Sequence, residues 1–136
     1  MEDLLNVTHV PNSLKLIELC AEPDSRLTET ALTMGIQAER WTKDDFDLST
    51  DIGYLRASRR LIEVRPNKLW LSPPCAPFTT LQFMRPAKDL ELKQKHGKKI
   101  WKNCMKLAIL QIKLGGDAYV EQPFRCGTWR LDDPKQ

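Results

Sequence analysis

The sequence predicts a single α/β domain with a mostly parallel sheet, and two observations carry this prediction. Short apolar segments of strand length alternate with longer amphipathic segments of helical length along the chain. Strands that alternate with helices in this way pair in parallel, and the helices form right-handed crossovers between them. The chain has 136 residues, of which 41% are hydrophobic, and this is enough for one core and too little for two.

The first half of the chain predicts two strands around one helix. Residues 14–20 form a short apolar strand, and a turn-like segment follows it. Asp24 or Ser25 is suited to cap a helix that ends at Gly35, because glycine favours the left-handed position after a helix. Residues 36–41 then alternate as a second strand. The apolar residues expected on one face of the helix are Leu27, Ala31, Leu32 and Met34.

The second half predicts two more helices and two more strands. After a polar loop, a helix begins near Asp51 and ends before Pro66. The third strand covers residues 68–71 and is stopped by the prolines after it. A long helix covers residues 87–114, and residues 117–121 form the fourth strand. The expected inward residues are Ile52, Leu55, Leu61 and Ile62 in the earlier helix, and Ile100, Cys104, Leu107, Ala108 and residues 110–114 in the later one.

Charge alone does not decide the partner of the chain. The 21 basic and 18 acidic residues give a formal net charge of +3. This charge is compatible with a nucleic-acid partner and too small to indicate one. The lysines between Lys93 and Lys106 favour a solvated helix face, and contact with phosphates stays an alternative.

Cysteine spacing and hydropathy narrow the class of protein. The four cysteines are far apart, without the C-x-x-C pair that marks zinc and redox sites, so we predict separate reduced thiols and no metal site. No apolar segment reaches the roughly 20 residues of a membrane span, and the N-terminus lacks the basic start of a secretory signal. We therefore expect an intracellular protein, of the nucleus or cytoplasm, with no membrane partner.

Candidate functional residues lie where the predicted strands end. Ligands of an open parallel sheet bind beyond the carboxyl ends of its strands, near the point where strand order reverses. Cys20, Glu39, Cys75 and Glu121 lie at or near such ends. Cys75 is either a reactive thiol or a small buried residue of the core. Glu121 is either a functional carboxylate or one that caps the following turn. Glu39 could accept a hydrogen bond from a ribose or face solvent. Asp47 could contact a ligand or belong to the N-cap of the next helix.

Four segments carry a resemblance to a known family. They are Trp70-Leu71-Ser72-Pro73-Pro74-Cys75-Ala76-Pro77-Phe78-Thr79, Val120-Glu121-Gln122-Pro123, Ile17-Glu18-Leu19-Cys20-Ala21 and Asp45-Phe46-Asp47-Leu48. They resemble, respectively, the nucleophile loop, the glutamate strand end, the cofactor strand and the adenine-contacting turn of the cytosine-C5 DNA methyltransferases, and along the chain they follow the family's order at about its spacing. The loop from Ser72 to Phe78 and the segment Glu121-Gln122-Pro123 with the later Trp129 also resemble divergent methyltransferase-like segments of retroelement polyproteins.

The resemblance implies a Rossmann-like, three-layer methyltransferase fold and a reaction. Cys75 would attack carbon-6 of a flipped-out cytosine, and Glu121 would hold the N3 edge of the base, while S-adenosylmethionine donates the methyl group. DNA is the implied partner. The resemblance also implies that the chain corresponds to the N-terminal catalytic half without a target-recognition region, either as part of a longer polyprotein or as a truncated fragment. The implied cofactor-binding residues are Cys20, Ala21, Glu22, Glu39, Asp47, Ser72 and Pro73.

The sequence departs from the family pattern at one place, and two other functions are alternatives. The family has glycines after its first strand, whereas residues 21–25 contain none. The segment Ser72-Pro73-Pro74 also resembles the loop of amino-group DNA methyltransferases, although Cys75 stands where those enzymes carry an aromatic residue. A noncatalytic module of a mobile-element polyprotein, either structural or binding nucleic acid through the lysine-rich helix, is the alternative from a different class.

Overall fold

The structure is a computed structural model that describes residues 14–74 and 87–122. Within these ranges the strands and helices follow the predicted order, and each predicted element is confirmed with small differences at its ends. In chain order they are β1 (Lys15–Leu19), α1 (Arg26–Thr33), β2 (Gln37–Trp41), α2 (Asp51–Val64), β3 (Lys68–Leu71), α3 (Ala87–Lys113) and β4 (Asp117–Val120).

The four strands form one parallel sheet in the order β2-β1-β3-β4. The chain moves from β1 to β2 on one side and then crosses to β3 on the other side, so strand order reverses between β1 and β3. Trp41, Leu19, Leu71 and Val120 lie side by side at the carboxyl ends of the four strands. The α/β fold is thus confirmed, and it is compatible with a Rossmann-like sheet whose ligand crevice opens at this reversal.

Helices cover both faces of β1. Glu18 points towards α1, where Ser25 and Thr28 donate hydrogen bonds to its carboxylate. Successive side chains of a strand alternate between the two faces, so Ile17 and Leu19 point the other way. Both are buried in the core cluster that includes residues of α2 and α3. This arrangement gives three layers, with α1 on one side of the sheet and α2 and α3 on the other.

The inward face of α2 is made of smaller residues than predicted. Three residues expected to face the core are exposed: Ile52 by 69%, Leu55 by 62% and Ile62 by 47%. The prediction for them is wrong, and of the predicted set Leu61 alone is buried. Gly53, Ala57 and Leu61 form the buried row, at the spacing that places helical residues on one face. At Gly53 the backbone of Asp47 lies against the helix, and Ala57 and Leu61 complete the buried row, so Ile52, Leu55 and Ile62 lie on the other faces of α2.

The C-terminal end of α1 and the N-terminal end of α2 follow their predicted signals. At the N-terminus of α1, Ser25 occupies the cap position, but its hydroxyl donates to the carboxylate of Glu18 and caps no amide of the helix. Gly35 follows α1 with a φ of 80°, in the left-handed region that glycine adopts most easily. The side chain of Thr50 caps α2 by accepting a hydrogen bond from the amide nitrogen of Gly53 at 3.0 Å. The short α1 buries only Thr28 and Ala31. The predicted core residues Leu32 and Met34 are exposed by 55% and 62%, because an eight-residue helix presents a single short row to the sheet.

The long helix α3 packs its apolar face on the sheet and leaves the opposite face polar. Trp101, Cys104 and Leu107 are buried. Ile112, which we also predicted to be buried, is 61% exposed, because it lies one residue past the buried Gln111 and is turned away from the sheet. Within residues 14–74 and 87–122, neither α3 nor any other helix is apolar and long enough to cross a membrane.

Candidate functional site

A cavity of about 300 Å³ opens at the carboxyl ends of β1, β2 and β3. It lies at the reversal of strand order, which is where ligands bind in doubly wound sheets. Its wall is formed by the loops that follow these three strands and by one residue of α3. The lining residues are Cys20, Ala21, Glu22, Pro23, Thr42, Lys43, Asp44, Phe46, Asp47, Leu48, Ser72, Pro74 and Ile100.

The cavity brings together most of the residues that the resemblance implied for cofactor binding. Cys20, Ala21, Glu22, Asp47 and Ser72 all line it. Two others lie elsewhere. Pro73 is buried, and its carbonyl oxygen accepts a hydrogen bond from the side-chain amide of Gln122. The carboxylate of Glu39 pairs with Arg60 at 3.0 Å and with Lys15 at 3.4 Å, so it contributes to an ion-pair cluster on β2.

A buried carboxylate occupies the N-terminus of α1, behind the cavity. Glu18 is only 5% exposed. One of its oxygens accepts a hydrogen bond from the hydroxyl of Ser25, and the other accepts from the hydroxyl of Thr28 at 2.7 Å and from its amide nitrogen at 3.3 Å. Helix N-termini of this kind bind phosphates in dinucleotide-binding proteins. Here the negative charge comes from the protein itself, so the site disfavours a second anion at the same amides.

The loop after β2 is folded by its own carboxylates. Asp45 accepts hydrogen bonds from the amide nitrogen and hydroxyl of Thr42, at 2.9 and 3.1 Å. Asp47 accepts from the amide nitrogen and hydroxyl of Ser49, at 3.0 and 2.6 Å. The hydroxyl of Ser49 holds the pKa of Asp47 below its ordinary value, against a smaller opposing effect of burial. Asp47 is therefore a fixed, ionised carboxylate in the cavity wall.

Several lining residues were not among the predicted site residues. Phe46 packs against the buried Trp41 with ring centroids 4.7 Å apart, and Leu48 is buried in the core. Their alternation with the loop carboxylates was a sequence signal for a loop that turns inwards. Ile100 comes from the middle of α3, and no sequence pattern connects it with the ends of β1 and β2.

The strand end at Glu121 lies beside the loop that leads to Cys75. The amide nitrogen of Glu121 donates to the carbonyl oxygen of Leu71 at 2.8 Å, and the next residue, Gln122, bonds to Pro73. The side chain of Glu121 is exposed. Cys75 itself lies outside the described residues, and Pro74, which precedes it, lines the cavity. The described parts of the two proposed catalytic segments are therefore neighbours.

A second, basic groove of about 590 Å³ lies along α3 and the start of α2. Lys99 pairs with Asp51 at 2.9 Å, and the ammonium group of Lys106 lies 5.3 Å from the ring centroid of Tyr54. Asn103 separates this groove from the cavity, because its amide donates to the carbonyl oxygen of Leu48 at 2.8 Å. The lysines that line the groove are Lys95, Lys98, Lys99, Lys102 and Lys106.

Neither relatives nor a metal site identify the chain. Comparison with known protein families, curated proteins and solved structures finds no match. Among residues 14–74 and 87–122, no three histidine, cysteine or acidic side chains are grouped so that they could hold a metal ion.

Proposed function

We propose that the chain is a cytosine-C5 DNA methyltransferase-type domain that binds S-adenosylmethionine in the cavity at the ends of β1, β2 and β3. One observation carries the proposal: Ser72 and Pro74, from the segment that leads to the candidate nucleophile Cys75, line the same cavity as the strand ends that resemble cofactor-binding motifs. The pairing of Glu121 with Leu71 supports it, because this pairing holds the candidate base-binding glutamate beside that segment.

The charge of the cavity suits this cofactor better than a phosphorylated one. Glu22, Asp44 and Asp47 stand in its wall, and among the described residues Lys43 is the one cation that lines it. Because Glu18 already binds the amide of Thr28 at the start of α1, a phosphate would meet a buried carboxylate there. S-adenosylmethionine has no phosphate and carries a sulfonium cation, so an acidic cavity favours it. A volume of about 300 Å³ lies at the lower end of the range for small-molecule sites.

The absence of glycines after β1 does not prevent a tight turn there. Cys20 has a φ of 58°, in the left-handed region that glycine usually occupies. The amide nitrogen of Ala21 then donates to the carbonyl oxygen of Trp41 at 3.2 Å. The backbone of this chain therefore turns tightly after β1 without a glycine, and Ala21 brings only a methyl group to the cavity.

In the proposed reaction, bound S-adenosylmethionine would supply an electrophilic methyl group and would leave as S-adenosylhomocysteine. The thiolate of Cys75 forms a bond to carbon-6 of cytosine, and the electron pair of the ring double bond becomes available at carbon-5. Glu121 holds the N3 edge and stabilises the charge that develops there. Once carbon-5 carries the methyl group, its proton passes to solvent, the double bond between carbon-5 and carbon-6 re-forms, and the bond from carbon-6 to the sulfur of Cys75 breaks, which restores the ring and the free enzyme.

Calorimetric titration of the purified chain with S-adenosylmethionine tests the cofactor site. We expect micromolar binding, and binding of NAD at least about tenfold weaker, which corresponds to about 1.4 kcal/mol. The substitution Asp44→Lys places a cation in the wall and should weaken binding of S-adenosylmethionine about tenfold or more. Asp24→Lys, on an exposed residue outside the lining, is the matched control. A folded chain that binds no S-adenosylmethionine, or binds NAD equally well, would refute the proposal.

The basic groove favours a second candidate function, a noncatalytic nucleic-acid-binding module. Helical rise places Lys95 and Lys106 about 16 Å apart along α3, the length of about five base steps of duplex DNA. Four of the five lysines in the groove lack the acidic partner that Lys99 has in Asp51 among the ion pairs of the described residues. Such a row of cations is suited to the phosphates of one strand.

Duplex binding measured by fluorescence anisotropy at several salt concentrations separates the two candidates. The double variant Lys98→Glu and Lys102→Glu should lower the affinity for DNA. The slope of log affinity against log salt concentration should also become shallower, by the amount that corresponds to the loss of about two phosphate contacts. Lys113→Glu, on the last turn of α3 and outside the groove, should change little. Salt-dependent DNA binding without any affinity for S-adenosylmethionine would favour the noncatalytic module. Loss of binding that is equal in both variants would contradict a role for the groove.

A further inference from the structure

We propose that Cys20 and Cys104 are a redox modification site, in which a hydroperoxide oxidises Cys20 and Cys104 then closes a reversible disulfide behind the cavity wall. The two Sγ atoms lie 3.6 Å apart, although the residues are 84 positions apart in the chain. The sequence alone predicts separate thiols. The fold brings these two into direct contact, and it does so at the wall of the candidate cofactor site.

The backbone at Cys20 is what directs its thiol towards Cys104. Glu18 points to the α1 face, and strand alternation would send Cys20 to that same face. The left-handed φ of 58° at Cys20 ends the alternation, and the side chain packs instead against the core between the sheet and α3. A cysteine in this conformation costs about 1 kcal/mol or more relative to glycine, so the contact is built by a specific local backbone geometry.

The two thiols differ in access, and this difference assigns their roles. Cys20 is partly buried and lines the cavity, so a small oxidant in the cavity reaches it. Cys104 is 0% exposed, and contact with Cys20 together with burial raises its pKa well above the ordinary value. Cys104 is therefore protected from direct attack, and Cys20 is the thiol that the oxidant meets first.

The chemistry balances without any other group. The sulfur of Cys20 attacks one oxygen of the hydroperoxide, the oxygen–oxygen bond breaks, and the products are a sulfenic acid and an alcohol, or water when hydrogen peroxide is the oxidant. The sulfur of Cys104 then attacks the sulfenic sulfur, a sulfur–sulfur bond forms, and water leaves with the proton of the Cys104 thiol. The two thiols lose two electrons in total, and the peroxide bond accepts both.

Closure of the disulfide changes the cavity. A disulfide bond is about 2.05 Å long, so the sulfurs must approach by about 1.5 Å from their distance of 3.6 Å. This movement draws the end of β1 towards α3, where Ile100, one turn before Cys104, also lines the cavity. We expect the oxidised chain to bind S-adenosylmethionine more weakly by about tenfold. That effect rests on the proposed function, whereas the disulfide itself does not.

Peptide mass spectrometry of the full chain tests the disulfide. The chain is treated with hydrogen peroxide, remaining thiols are blocked with N-ethylmaleimide, and the digest is searched for a Cys20–Cys104 cross-link that dithiothreitol removes. The cross-link should persist in the double variant Cys75→Ser and Cys126→Ser. In Cys104→Ala, Cys20 should instead accumulate as a sulfenic acid that dimedone labels, and Cys20→Ala should give no cross-link to Cys104.

Three results would overturn the proposal. They are a cross-link from Cys20 to Cys75 or Cys126 in place of Cys104, oxidation of Cys104 in the Cys20→Ala variant at the wild-type rate, and no oxidation of Cys20 at peroxide levels that oxidise Cys75. A parallel titration with S-adenosylmethionine keeps the two proposals distinct. If the cross-link forms and neither redox state binds the cofactor, the proposed function fails and the disulfide stands.

Discussion

The amide nitrogen of Glu121 donates to the carbonyl oxygen of Leu71 across 2.8 Å, and this bond joins the ends of β3 and β4. It extends the parallel ladder beyond Val120. The side-chain amide of Gln122 adds a second connection to the carbonyl oxygen of Pro73. Together these bonds fix the described part of the segment that leads to Cys75 against the strand end that carries Glu121.

We predict that Gln122→Ala lowers the stability of the fold, whereas Glu121→Gln lowers the proposed activity and leaves the stability nearly unchanged. Loss of the Gln122 amide leaves the carbonyl oxygen of Pro73 without this donor, and the free energy of unfolding should fall by about 1 kcal/mol in a urea titration. Glu121→Gln should change stability by less than about 0.5 kcal/mol, because its side chain is exposed. The same substitution should abolish methyl transfer if Glu121 stabilises the charged ring.

Gly53→Ala should be strongly destabilising. A Cβ at this position would overlap the backbone carbonyl oxygen of Asp47 and approach the hydroxyl of Thr50. Relief of the overlap must move the loop that lines the cavity or shift α2, and we expect a loss of about 3 kcal/mol or more. Ile52→Ala is the control, because Ile52 is 69% exposed. Equal thermal unfolding temperatures for the two variants would contradict this close approach.

Glu18→Ala should destabilise the chain, because the carboxylate of Glu18 on β1 holds the N-terminus of α1. It removes the acceptor of three hydrogen bonds from Ser25 and Thr28 and leaves those donors with no carboxylate partner. We expect a loss of about 2–3 kcal/mol in the free energy of unfolding, measured by denaturant titration. Glu29→Ala, on the exposed first turn of the same helix, should cost about 0.5 kcal/mol or less. A larger loss for Glu29→Ala would show that the cap lies elsewhere.

The carboxylate of Asp47 should contribute stability that is lost in acid. Its pKa is lowered in the folded chain, chiefly by the hydroxyl of Ser49, so the contribution is present above the unfolded pKa of about 4 and disappears as pH falls through the folded pKa. The difference in melting temperature between wild type and Asp47→Asn should therefore be largest near neutral pH and shrink towards pH 3. Ser49→Ala should reproduce the trend. A difference that grows in acid would contradict this sign.

Local signals were enough to predict the elements of the fold. Residues 68–71 were predicted as β3 and are observed as β3. The prediction was possible because Pro66 and Pro73 lie on either side of a short apolar segment, and the space between them is too short for a helix. Gly35 likewise marked the end of α1. These features depend on residues adjacent in sequence, so hydrophobic period and turn chemistry specify them.

Contacts between distant elements were not predictable in the same way. The exposure of Ile52 and Ile62 follows from which face of α2 is turned inwards, and that face carries Ala57 and Leu61, which join the core cluster with residues of the strands and of α3. The Cys20–Cys104 contact depends on a left-handed residue at a strand end and on the position of α3. Neither has a signature within one segment of the sequence.

Covalent trapping of Cys75 tests the central claim most directly. The full chain is incubated with S-adenosylmethionine and duplex DNA that carries 5-fluorocytosine, whose fluorine blocks the elimination that would free the thiolate. Intact mass spectrometry should show one chain joined to one methylated duplex strand through Cys75, and no adduct with Cys75→Ser. A folded chain that binds both DNA and S-adenosylmethionine and forms no adduct, or forms an equal adduct after Cys75→Ser, would contradict the claim that this domain is a cytosine-C5 methyltransferase.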